Sequence, residues 1–169
     1  MALQATVQVV LDARLTKTPG VTSPVAPALI NRVLQLIDGT SAGKADRLYA
    51  SRLTIGASSS TDLDLAGVLT DDFAQTITMA RVKGLFVTAA AANVNNVVLG
   101  AAVGNVWTAL LNSTGTVQVR PGALLLALVG AADATGWVVG AGATDLFRVA
   151  NGGAGTSVTA DVVIIGASA

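Results

Sequence analysis

The closing stretch DLFRVANGGAGTSVTADVVIIGASA, residues 145–169, decides how the chain is read. It sets a run of small residues, Asn151-Gly152-Gly153-Ala154-Gly155, between two apolar segments. A phosphate-cradling loop follows a strand and leads into a helix whose N-terminus holds the anion. Here the run leads into Ser157–Ile165, where Val158, Thr159, Val162, Val163, Ile164 and Ile165 are β-branched and fit a strand. The G-K-[ST] ending and the G-x-G-x-x-G spacing are both absent. The run therefore reads as a hairpin connection between two strands, with no nucleotide bound.

Working backwards, the same texture recurs. Trp137–Val139 and Asp145–Ala150 read as short strands, and Ala123–Val129 as a continuous apolar strand buried on both faces. Pro121-Gly122 before it is a turn pair, because Pro presets φ and Gly permits positive φ at the next position. Thr116–Arg120 alternates Val117 and Val119 inward with Gln118 and Arg120 outward. Val97–Gly100, Arg81–Thr88 and Leu48–Ile55 are further strands. Asp62-Leu63-Asp64-Leu65 alternates strictly, with two carboxylates on one face and two leucines on the other. Turn signals at about every 8–15 residues favour an all-β antiparallel sandwich over a βαβ array. A jelly-roll winding is one outcome of that pattern.

The N-terminal third carries two textures. Val7–Leu15 reads as a strand and Thr18–Pro24 as a loop or extended arm. Pro27–Ile37 places Leu29, Ile30, Val33, Leu34 and Ile37 at helical spacing, with Pro27 near the start and Gly39 beyond the end, so one short helix is expected there, with a strand as the alternative. The expected organisation is an N-terminal strand and arm over 1–27 and a sandwich domain over 28–169.

Composition narrows the function. Apolar residues make up 52% of the 169, and charged residues only 12%, about half the usual share. Such a chain either enters a membrane or has much of its surface covered by protein. The most apolar pieces, Val97–Leu111 and Gly122–Ala132, are shorter than the roughly 20 residues of a spanning helix, and the N-terminus lacks the basic region of a signal peptide. Ten cations balance ten acids with no basic run, so nucleic acid is not an expected partner. Cysteine and histidine are absent, which removes thiolate chemistry, disulfides and the commonest neutral-pH base and metal ligand. All ten acids are Asp and only three residues are Lys, a composition suited to sheet and loop.

No constellation amounts to a catalytic site, and no cofactor or metal is expected. Asp62 and Asp64 lie roughly 6.6–6.8 Å apart along a strand, within reach of a shared hard cation, but a solvated face is the simpler reading. Asp71-Asp72 suits a turn cap and Asp38–Gly43 a surface turn, since the latter lacks the alternating oxygens and terminal Glu of a calcium loop. Ser58, Ser59 and Ser60 have no histidine to activate them. Asn112-Ser113-Thr114 has the form of a glycosylation sequon. Trp107 and Trp137 are core or interface anchors before they are ligand platforms. Trp107, Leu110, Leu111, Trp137 and Phe147 are the candidate interface residues.

The order of segments carries a resemblance. It runs through DGTSAGKAD (38–46), DLDLAG (62–67), LTDDF (69–73), Arg81–Val87, AAAANVNNVVLGAA (89–102), Pro121-Gly122, DATGW (133–137) and the closing stretch. Over residues 36–169 this set resembles a family of small proteins encoded among the virion structural genes of tailed bacteriophages. The resemblance implies a non-enzymatic protein of the virion, either a head decoration (cement) protein docked on the major capsid protein or a tail, baseplate or fibre component. Low charge agrees, because a charge-poor monomer is poorly protected against association. A homo-oligomer is expected, a trimer ahead of a dimer. A rival from another class is a carbohydrate-binding sandwich using Trp107, Trp137, Asp62 and Asp64.

Overall fold

Thirteen strands and no helix make up the described residues, 2–17 and 25–169, of the computed structural model. They are β1 (Ala5–Thr16), β2 (Val25–Leu36), β3 (Arg47–Ile55), β4 (Ser60–Asp64), β5 (Leu69–Thr70), β6 (Thr76–Ile77) and β7 (Arg81–Ala89). After these come β8 (Val97–Gly100), β9 (Thr116–Val119), β10 (Leu124–Leu128), β11 (Trp137–Val138), β12 (Leu146–Asn151) and β13 (Val158–Ala167). The all-β reading holds.

Eight of the strands form the body, in two antiparallel sheets ordered β10-β7-β13-β3 and β4-β12-β8-β9, with β11 extending the first by pairing with β7. Along the chain the first of the eight pairs with the last (β3 with β13), the second with the seventh (β4 with β12), the third with the sixth (β7 with β10) and the fourth with the fifth (β8 with β9). One long ribbon folded double and wrapped on itself gives that pairing, which is the jelly-roll winding. Alternation drives it. β13, flanked on both sides, sends Val158, Ala160, Val162 and Ile164 inward, where they meet Leu63, Val97, Leu99, Phe147 and Val149 of the facing sheet. Each of these side chains larger than alanine stabilises the fold by about 1.5–3 kcal/mol through burial.

Several expectations change. The closing glycine run is no hairpin: β12 belongs to one sheet and β13 to the other, so residues 152–157 cross between sheets. β9 and β10 are likewise in opposite sheets, and the turn between them carries Gly122 at φ +75°, as its Pro-Gly pair requires. β10 is an edge strand with Leu124 exposed and the rest half-buried, not a strand buried on both faces.

The expected helix over Pro27–Ile37 is a strand. β2 pairs with β1 along twelve residues, from Ala5 opposite Leu36 to Thr16 opposite Val25, and forms a separate two-stranded sheet. The boundary expected at 27/28 therefore falls inside β2, and the arm extends to Leu36. The expected loop at Thr18–Pro24 lies outside the described residues. Only the root of this ribbon is seated. Leu34 and Leu36, with Leu3, Ala5 and Val7, pack with Ala45, Leu128, Val163 and Ile165 on the outer face of the first sheet. Asp38 helps to fix the root by accepting a hydrogen bond from the Leu3 N–H at 3.1 Å.

Candidate interaction surface

The glycine run that opened the reading is filled by a side chain. Asn151 ends β12, is buried, and points its amide into the loop. Its Nδ2 donates to the carbonyls of Ile55 (3.3 Å), Gly56 (3.0 Å) and Thr156 (2.8 Å), while its Oδ1 accepts from Gly153 N–H and from Asn95 Nδ2. Asn95 in turn donates to the carbonyls of Ala154 and Thr156. The glycines make room for this network, since a Cβ on Gly153 would stand 2.6 Å from Asn95 Oδ1. The loop therefore has its polar centre occupied from within.

The carboxylates expected to share a face are each engaged separately. Asp62 receives both Nε and Nη2 of Arg148, at 2.7 Å each, in a bidentate pair across β4 and β12. Asp64 instead accepts the Ala66 N–H at 3.1 Å and ends the strand. No cluster of three or more potential metal ligands occurs among the described residues. Asp71 caps its own turn, accepting the N–H groups of Phe73 and Gln75 at 2.9 Å each. Asp38–Gly43 is a surface turn closed by Ile37 N–H to Gly43 O, and Ser58–Ser60 lie at the turn between β3 and β4. Asn112 accepts the Thr114 N–H at 3.2 Å in a further turn.

The five large apolar candidates separate. Trp107 and Phe147 lie edge to face in the core, their ring centres 5.8 Å apart, and the Trp107 indole N–H donates to Val138 O at 2.9 Å. Both are buried, a correction to their place among interface residues, and Trp107 offers no exposed ring face to a sugar. Leu110 and Trp137 pack partly buried against the same core, and Leu111 is half-buried.

Lys83 is a residue the sequence did not mark. The pairing of β13 with β7 runs Ile165 opposite Gly84 and then Gly166 opposite Val82, so Lys83 is the extra residue of a β-bulge. The bulge returns Val82 to the core and sends the fully buried Lys83 to the carbonyls of Asp133 (2.9 Å), Ala134 (3.1 Å) and Ser41 (3.4 Å). Burial, with Arg81 nearby, holds this ammonium below the ordinary lysine pKa, and Asp133 partly opposes them. Lys83→Met should destabilise the protein by about 1–3 kcal/mol at neutral pH, because the three carbonyls lose their donor. Since the folded pKa lies below the unfolded one, the unfolded chain holds more proton between the two. Stability attributable to Lys83 should therefore rise with pH across that alkaline window, as urea melts of both proteins would show.

Exposed large apolar side chains concentrate on the arm. Residues directly opposite share a face, so Ala5, Val7, Val9, Leu11, Ala13 and Leu15 of β1 join Ala26, Ala28, Ile30, Arg32, Leu34 and Leu36 of β2 on one side. Arg32 is the single polar member of the twelve. The body covers only the root. From Val9 outward the face is open, with Leu11 48%, Ile30 49% and Leu15 75% exposed. The other face mixes Gln8, Asp12, Arg14 and Asn31 with exposed Val10, Leu29 and Val33. The strand from Val7 to Leu15 was legible in the sequence. That its apolar face has no cover among the described residues was not.

Two grooves border the arm's root. One, of about 520 Å³, lies between Val9, Arg32, Leu34 and the β10 edge at Leu126 and Leu128. The other, of about 540 Å³, lies between Leu3, the β3 residues Leu48 and Ala50, and the turn bearing Asp71, Asp72 and Phe73. Phe73 is 70% exposed at its rim. Compared with protein-family models, curated proteins and solved structures, the chain matches none.

Proposed function

We propose that the protein is a non-enzymatic structural component of a tailed-phage virion, a capsid decoration protein that binds and stabilises the major capsid lattice. The observation that carries this reading is the arm: a twelve-residue ribbon whose apolar face extends past the body with no cover among the described residues. A lone two-stranded ribbon is marginal in water, so its stable partner is another polypeptide. The scarcity of charge supports the same reading, as does a jelly roll, an architecture that viral capsid and lectin domains share. Fold alone assigns no activity, and the weight rests on the arm. Cementing works through repetition, with modest affinity per copy multiplied over a shell. A tail, baseplate or fibre position is the second reading, supported by the same arm.

Two experiments bear on this. Quantitative mass spectrometry of purified virions from the phage that encodes the chain should find hundreds of copies per particle. A few tens would move the protein to the tail, and none would end the proposal. Leu11→Ser with Ile30→Ser, directly opposed on the open face, should lower occupancy on particles lacking the protein by at least about tenfold while leaving the body's melting within about 1 kcal/mol. Unchanged occupancy would remove the arm from the mechanism.

A further inference from the structure

We propose that the arm's partner is a second copy of this chain, and that the arm seats in that copy's groove beside Asp72 and Phe73. The inference rests on the reading above that the protein acts by assembly, and it names the contact.

Charge is the first ground. Through Leu36 the arm carries Arg14, Lys17 and Arg32 against the single carboxylate of Asp12, leaving it two positive charges in excess. Asp12 is spent on Arg14, 3.5 Å away. Lys17 and Arg32 have no ion pair among the described residues. The groove carries Asp46, Asp71 and Asp72 against the single cation of Arg47, leaving it two negative charges in excess. Arg47 is spent on Asp46 at 3.1 Å, so the uncompensated carboxylates are those of the turn. In a chain with so few ions, arm and groove are matched opposites.

Apolar surface is the second ground. The groove presents exposed Leu48 and, at its rim, the exposed ring of Phe73. Asp71 holds that turn rigid through its two backbone hydrogen bonds, so Phe73 is displayed by the fold. An exposed aromatic over an apolar floor suits the Val9–Leu15 face of an incoming ribbon, with Lys17, just beyond the end of β1, placed for the turn carboxylates.

Symmetry follows. Arm and groove are different surfaces, so the contact is head to tail, and each copy offers one of each. Such a contact closes into a ring when each copy is rotated by a whole fraction of a turn, a trimer at one third, and otherwise runs on as an open filament. The groove lies beside the arm's own root at Ala2 and Leu3, so each copy holds its neighbour's arm next to the start of its own.

The test is sedimentation velocity of the full chain over a concentration series. Asp72→Lys, at an exposed residue whose side chain has no hydrogen bond or ion pair among the described residues, should weaken association about tenfold, and Lys17→Asp should do the same. One chain carrying both reversals should recover most of the loss. Phe73→Ser should weaken association without altering the thermal melt. Association within twofold of wild type for both Asp72→Lys and Phe73→Ser would overturn the groove as the seat. If Leu11→Ser with Ile30→Ser still dissociates the oligomer in that case, arm-driven assembly stands and only the seat is wrong. A wild-type chain that stays monomeric at the highest concentration would overturn the second copy as partner, and occupancy on particles would then decide the wider reading separately.

Discussion

Replacing Trp107 with alanine is expected to cost about 3–5 kcal/mol of stability, lowering the melting temperature of a domain this size by roughly 6–20 °C. The ring is 4% exposed and meets Phe147 edge to face, with an angle of 87° between the planes. Its backbone N–H joins Leu146 O of β12, while its indole N–H reaches Val138 O of β11, so one residue ties the two sheets together. Alanine leaves a large void between the layers and a carbonyl without its donor. Trp107→Phe should cost less, because a ring still fills the space and only the indole hydrogen bond is lost. Urea unfolding followed by circular dichroism measures both. A Trp107→Ala protein as stable as the parent would contradict the core assignment.

Asn151→Asp should be nearly as severe, at about 3 kcal/mol or more at neutral pH, although the side chain barely changes shape. The amide nitrogen that satisfies Ile55, Gly56 and Thr156 becomes a carboxylate oxygen facing three carbonyl oxygens. The deficit should shrink as pH is lowered, since protonation removes the charge and restores one donor. Asn151→Ala should be destabilising without that pH dependence. Melting both variants from neutral to mildly acidic pH separates the electrostatic part from the lost packing, and identical pH profiles would refute the role given to the amide.

Where one face of a strand is buried, the sequence was a good guide. Val117 and Val119, Leu63 and Leu65, and the β-branched run from Val158 to Ile165 mark β9, β4 and β13 because period-two alternation is a local signal. Pairing is not local. Asn151–Thr156 looks the same whether its flanking strands are neighbours or lie in opposite sheets, so the sheet crossing could not be read from it. β2 was misread for a definite reason. Leu29, Val33 and Ile37 are four apart, as are Ile30 and Leu34, and a four-residue step keeps one face in a helix and in a strand alike. Only the partner strand β1 decides between them, through Ile30 opposite Leu11 and Leu34 opposite Val7. The site was missed in part because large residues were taken as interface anchors. Trp107 and Phe147 went to the core, and the open surface is built from Val, Leu, Ile and Ala on the arm. The bulge that re-aims Lys83 depends on the register of β7 against β13 and leaves no mark in either strand alone.

The nested pairing of the eight body strands also sets a timetable. The β8–β9 turn closes the shortest loop, and each outer pair closes at less entropic cost once the one inside it has formed, out to Arg52 and Asp161 across 109 residues of chain. Loop closure on that scale makes for folding in milliseconds to seconds. During synthesis β3 waits for β13 to leave the ribosome, and the greasy ribbon ahead of it emerges earlier still, before the sheet that seats its root exists. Nascent copies on neighbouring ribosomes of one message thus display this sticky segment before the body has formed, and a holding chaperone or slow translation through the arm would raise the yield of correctly built protein.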